Sequence, residues 1–133
     1  MKEKKSERKN LKKNAKKLTI AEIAYIFASR IMKLVQTLPK KTGSLELGKE
    51  LMRSSTSIAA YLEEAQDAFS KEDFIIKLNN ALKEARKTYL CLKLIDHSKL
   101  IDSTKELEDL FQESVGIKKA LDTIAGSSLK KLF

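Results

Sequence analysis

The chain has 133 residues, a length that fits one domain, and its 4 glycines and 1 proline leave few breaks. With 6% aromatic and 34% charged residues it suits long amphipathic helices. A β fold would want turn residues every ~8–12 positions. The net charge of +9 is unevenly spread: residues 1–17 hold nine Lys/Arg against two acids, a net +7, while residues 18–133 hold 18 bases and 16 acids.

Basicity therefore belongs to the N-terminal arm. Lys4, Lys5, Arg8, Lys9, Lys12, Lys13, Lys16 and Lys17 crowd a segment whose apolar residues after Met1 are Leu11 and Ala15. Such a segment cannot bury enough surface to offset the entropy of ordering, so residues 1–17 are expected to be disordered, becoming helical when bound. Residues 18–133 are expected to form the folded domain.

Its first helix is predicted from about Leu18 to Leu38, capped by Thr19 with Glu22 three residues on. Ile20, Ile23, Ala24, Phe27, Ile31, Leu34 and Leu38 share one face, and Pro39 supports a stop. A second helix is expected from Ser44 to Ala68, with Leu47, Leu51, Ser54, Ile58, Leu62, Ala65 and Phe69 toward the core. Ser70 is the strongest cap in the chain. It opens a third helix reaching about Asp96, whose core face is Phe74, Leu78, Ala81, Leu82, Ala85, Tyr89 and Leu92. After a turn at 97–102, Ser103 is expected to cap a fourth helix bearing Leu107, Leu110, Phe111, Ser114, Leu121, Ile124, Ala125 and Leu129. Gly116 and Gly126 weaken its end by about 1 kcal/mol each relative to Ala. Four such helices joined by short loops pack most simply as an all-α, up-down-up-down antiparallel four-helix bundle.

No chemistry of catalysis is legible. His97 is the one histidine and is placed in a turn, so no Ser-His or Cys-His pair is supported. One His and one Cys exclude the usual zinc sets, and neither a Glu-x-x-His motif nor a glycine-rich phosphate loop occurs. The chain is expected to be non-enzymatic and to need no cofactor or metal. The lone Cys91 fits a reducing cytoplasm, and no apolar run approaches the ~20 residues of a membrane span.

Three surface features remain. Arg53, Ser57 and Glu64 lie within about 40° of one another around the second helix, and Glu84 flanks the core face of the third. They form either a half-buried cluster joining the two helices, which would set their register, or unrelated surface charges. Tyr25 and Met32 on the first helix, and Ile76, Leu90 and Leu94 on the third, are apolar away from the core, which points to an oligomer interface or to scattered surface apolars. The arm itself is an electrostatic footprint for phosphate, on nucleic acid or anionic membrane. It lacks the aromatics that stack bases and the apolar anchors that enter membranes, so backbone contacts without sequence preference are expected. A purely solubilising arm is the alternative.

The runs Arg53-Ser54-Ser55-Thr56-Ser57-Ile58, Glu64-Ala65, Ser70-Lys71-Glu72-Asp73-Phe74-Ile75 and Ala81-Leu82-Lys83-Glu84-Ala85, with Leu38-Pro39 before them, resemble the four-helix bundle proteins encoded in intervening sequences of bacterial 23S ribosomal RNA genes. The likeness covers most of residues 18–125. Tyr61, Lys87 and Cys91 depart from it: the family usually has Asn, an acid and often Trp there. The resemblance implies an up-down bundle that forms a homopentamer. It also implies kinship with the accessory variability proteins of diversity-generating retroelements, basic pentamers that bind nucleic acid and partner a reverse transcriptase. On this basis the chain is expected to be a self-associating scaffold binding nucleic acid, RNA rather than DNA. The arm and Lys40, Lys41, Lys83, Arg86 and Lys87 would contact phosphates. A protein-interaction adaptor is the second expectation, motivated by the apolar faces.

Overall fold

The computed structural model describes residues 18–132, with side chains to residue 130. Residues 1–17, to which the expectation of disorder applies, lie outside the described residues. Four helices follow in order: α1 Ile20–Val35, α2 Thr42–Gln66, α3 Lys71–His97 and α4 Lys105–Leu132. α1 packs on α2, α2 on α3, α3 on α4, and α4 returns to α1, while the backbones of diagonal pairs stay apart. With connections of only a few residues, consecutive helices run antiparallel, giving the up-down-up-down bundle.

The caps explain most helix starts. Thr19 Oγ1 accepts from the Glu22 amide at 3.1 Å and Ser70 Oγ from the Asp73 amide at 3.0 Å. α4 differs from expectation. Thr104, not Ser103, caps it, its hydroxyl accepting from the Leu107 amide at 3.2 Å. Both residues are polar caps by type, and only the backbone geometry selects between them. α2 starts two residues early, at Thr42, after a Lys41 that makes no side-chain cap bond.

The ends shift by similar amounts. α1 stops at Val35, after which Leu38 drops into the core outside the helix. α2 stops at Gln66, so Phe69 falls in the connection to α3 and is 89% exposed. The expectation that it extends the α2 core stripe is wrong, because the stripe's period holds only while the helix does. Leu129 is also exposed rather than core. His97 closes α3 instead of opening the turn. There Lys99 takes a positive φ of 52°, with the Leu100 amide donating to the Ile95 carbonyl at 3.3 Å and the Lys99 amide to Asp96 at 3.2 Å. This is a Schellman ending with lysine where glycine is usual.

Phe27, Ile31, Leu51, Ile58, Leu62, Leu78, Leu92, Leu107, Leu110 and Leu121 fill the core, as the periodicity predicts. Ile75, Cys91, Ile95 and Ile117 are buried as well, beyond the predicted stripes. Where α1 meets α2 the buried residues are small: Ala21 and Ala28 on α1, Ser44, Gly48 and Ser55 on α2. A Cβ on Gly48 would sit 3.0 Å from Val35 Cγ1, so the missing side chain is what lets the end of α1 approach α2.

Candidate nucleic-acid interface

The cationic residues proposed as phosphate contacts divide into three groups. Lys4, Lys5, Arg8, Lys9, Lys12, Lys13, Lys16 and Lys17 lie outside the described residues. Lys40 and Lys41 are exposed in the α1–α2 connection, at the end of the bundle that also carries the α3–α4 loop and Lys99. Lys83, Arg86 and Lys87 are exposed halfway along α3. At 1.5 Å rise per residue, the middle of α3 is roughly 20 Å from the loop end. The structure therefore does not join the second and third groups into one patch.

The α3 group is the more concentrated. Between Asn79 and Lys93 stand four bases, Lys83, Arg86, Lys87 and Lys93, against one acid, Glu84. Two of these are tied within the bundle: Arg86 lies 3.7 Å from Asp122 of α4, and Lys87 lies 3.9 Å from Glu84. Such exposed pairs are weak and screened by salt, so both cations remain available to a polyanion. Leu90 and Leu94 stand beside them, 52% and 41% exposed.

Next to this strip lies a polar link between α2 and α3. Arg53 Nη2 donates to Glu50 Oε1 at 2.7 Å and to Glu84 Oε2 at 3.2 Å. The hydrogen bond to Arg53 holds the Glu50 carboxyl below the usual range, and bonding to Glu50 first and the charge of Glu84 next raise the guanidinium above its own. Arg53 and Glu84 thus meet, as periodicity suggested. Glu64 does not join them. It pairs with Lys77 at 3.6 Å, about three turns beyond Arg53 along α2. Ser57 is half-buried and makes no side-chain hydrogen bond among the described residues. Beneath the ion pairs, Ser54 Oγ and Thr88 Oγ1 are 2.7 Å apart and fully buried, and Thr88 also donates to the Glu84 carbonyl at 3.0 Å. Sequence reasoning missed Glu50 and Thr88. The i, i+3 spacing of Glu50 to Arg53 was a usable signal, and Thr88 lies three residues after the core Ala85.

A second ionic link was also missed. Arg30 of α1 donates from Nη2 to Glu106 Oε1 at 3.1 Å and from Nη1 to Glu113, both on α4. Burial pushes the Glu113 carboxyl up, and the attraction of Arg30 offsets this only in part, with Glu106 and Asp109 adding repulsion. This link spans the least extensive seam of the bundle, where a groove of about 550 Å³ opens between α1 and α4 and one of about 870 Å³ between the end of α1 and the α3–α4 connection.

The apolar residues expected at an interface are exposed: Tyr25 68% and Met32 49% on α1, Ile76 55% on α3, with Leu90 and Leu94. They lie on two separate faces. On α2, Leu45 and Met52 are exposed too, at 50% and 36%. Since Gly48 faces Val35, antiparallel register puts Met52 level with Met32, so the α1–α2 face presents four apolar side chains together. The Cys91 thiol is buried and burial pushes its pKa up. No cluster of three or more metal-ligating side chains occurs among the described residues, and none of their helices is long and apolar enough to cross a membrane.

Residues 16–123 match the family model described as 23S rRNA-intervening sequence protein. The chain belongs to that family. A crystal structure of a protein of unknown function from the S23 ribosomal protein family of Bacteroides thetaiotaomicron is similar. It is 36% identical, with a TM-score of 0.73 over 80% of this chain and 98% of that one. No curated protein matches the chain in sequence. The family match takes in all of α1, α2 and α3 and two thirds of α4, so the polar link, the basic strip of α3 and both apolar faces fall within it.

Proposed function

We propose that this protein is a non-enzymatic, self-associating cytoplasmic scaffold that binds RNA through its basic arm and the α3 strip. The observation that carries the reading is the charge distribution: +7 on seventeen residues, attached to a bundle that is otherwise nearly neutral. The family's description, an intervening sequence of 23S rRNA, supports RNA over DNA. Lys83, Arg86 and Lys87 would extend the arm's backbone contacts along α3, and Lys40 and Lys41 would serve a second strand position. Contacts of this kind are sequence-independent and release counterions, so affinity falls steeply with salt. The kinship with retroelement accessory proteins that the sequence resemblance implies is the ground for reading it as a homopentamer with a reverse transcriptase, or alternatively a ribosomal RNA element, as partner.

Light scattering with absorbance at 260 and 280 nm on the purified protein tests this. A particle of about five subunits that holds RNA until high salt is expected, and a nucleic-acid-free monomer overturns both claims. Removal of residues 1–17 should weaken RNA binding and flatten its salt dependence. An unchanged salt slope removes the arm from the mechanism.

The exposed four-residue apolar face of α1 and α2 favours a second reading, an adaptor that docks protein partners. Tyr25→Glu with Met32→Glu should leave the monomer folded and abolish assembly. An unchanged sedimentation profile counts against an interface there.

A further inference from the structure

The arm joins the bundle at an acidic corner. At the end where α1 begins, α2 finishes and α3 starts stand Glu22, Glu63, Glu64, Asp67, Glu72 and Asp73, against Lys71 and Lys77, with Lys130 on the last turn of α4 at the same end. Glu64 is paired with Lys77; the other five acids form no ion pair with a described residue. Between α1 and α2 at this same end runs a mainly apolar groove of about 610 Å³, whose lining includes Leu18, Ala21, Tyr25 and Ile26 together with Glu22 and Glu63. Leu18, the first described residue, already lies half-buried in it. A segment of seventeen residues can span up to about 56 Å, whereas Leu18 to Tyr25 along α1 is roughly 10 Å, so the arm has ample length to turn back over the groove. Its composition suits such a seat. Leu11 and Ala15 are four apart and share a face in a helical turn, and Lys12, Lys13, Lys16 and Lys17 surround them.

We infer that residues 11–17 fold back into this groove, with Leu11 and Ala15 on Tyr25 and Ile26 and the lysines against Glu22 and Glu63, so that the bundle holds its own arm until a polyanion competes for it. Two independent features favour this occupant over others: the groove begins at the residue where the arm ends, and the charges are opposite. The docking does not depend on the RNA reading; only the release by a polyanion does.

The chain contains no tryptophan, so Leu11→Trp places a single reporter in the arm of the full-length protein. At low salt its emission should be blue-shifted, and acrylamide quenching several-fold weaker than for the same residues as an isolated peptide. Glu22→Lys with Glu63→Lys, both exposed, should restore the peptide's quenching with far-UV circular dichroism unchanged, and inorganic polyphosphate should do the same to the Leu11→Trp protein. Quenching equal to the peptide's from the outset, or protection indifferent to the double charge reversal, overturns the docking. In the unsubstituted chain, zero-length carbodiimide cross-links from Lys12 or Lys13 to Glu63 are expected. With mixed isotope-labelled protein they should join residues of one copy, and links solely between copies overturn the intramolecular contact. Since none of these readouts requires RNA, their failure leaves the nucleic-acid test standing, and failure of that test leaves these.

Discussion

Lys99 occupies a backbone conformation that an L side chain adopts only at a cost, because Cβ crowds the neighbouring carbonyl. Lys99→Gly should therefore stabilise the fold by about 1 kcal/mol, seen as a higher urea midpoint with unchanged slope. Gly116 is the reverse case. It is helical, and a Cβ there meets nothing within 4 Å, so Gly116→Ala should also add about 1 kcal/mol by the same measurement. Thr88→Val removes the partner of the buried Ser54 hydroxyl and should cost about 1–2 kcal/mol. The Ser54→Ala, Thr88→Val double variant should lose clearly less than the sum of the singles, since the two hydroxyls share one interaction. The Cys91 thiol, buried and with its pKa raised, should resist iodoacetamide in the native protein and react fully once unfolded.

At the scale of elements, the α1–α2 seam rests on small residues and the α1–α4 seam on charges. Gly48→Val puts a branched side chain into Val35 and Leu38, and should cost about 1–3 kcal/mol by overpacking a contact that cannot widen without lifting the end of α1. The α1–α4 seam is held by Arg30 across open grooves, so its stability responds to pH through Glu113. Burial raises that carboxyl above its ordinary 4.5, so between 4.5 and the raised value the folded state holds more proton than the unfolded chain. Stability contributed by Glu113 is thus present below 4.5 and falls as pH rises through that window. Glu50 acts oppositely: its lowered carboxyl contributes stability that is lost as pH falls below 4.5. In urea midpoints measured from pH 4.5 to 7, the stability gained on going from Glu113→Gln to the unsubstituted protein should shrink as pH rises, and a difference independent of pH removes Glu113 from the pH response.

For the whole molecule, the defining asymmetry is between a near-neutral bundle and a strongly basic arm that leaves it at an acidic corner. The periodic stripes made the four helices and most of the core legible from sequence, since each is a local pattern repeated over four or more turns. The site was legible only in pieces. Arg53 and Glu84 could be paired from their positions beside the core faces, whereas Glu64, on the same side of α2, sits too far along the axis and meets Lys77. Angle around a helix is readable from spacing, but level against a neighbour is not. Arg30, which binds α4 across some 80 residues of chain, carried no local signal at all.

The sequence by itself determined the helix count, the faces each helix buries, the place of the basic charge and, through its motifs, the family. Those depend on near-neighbour periodicity and composition. The tertiary structure decided that Phe69 leaves the core, that Met52 and Leu45 join Tyr25 and Met32 in one face, that the two folded basic groups stay apart, and that a groove lies under the root of the arm. Each of these depends on the axial register and closeness of antiparallel helices, which the small residues at the α1–α2 seam and the exact helix ends set together.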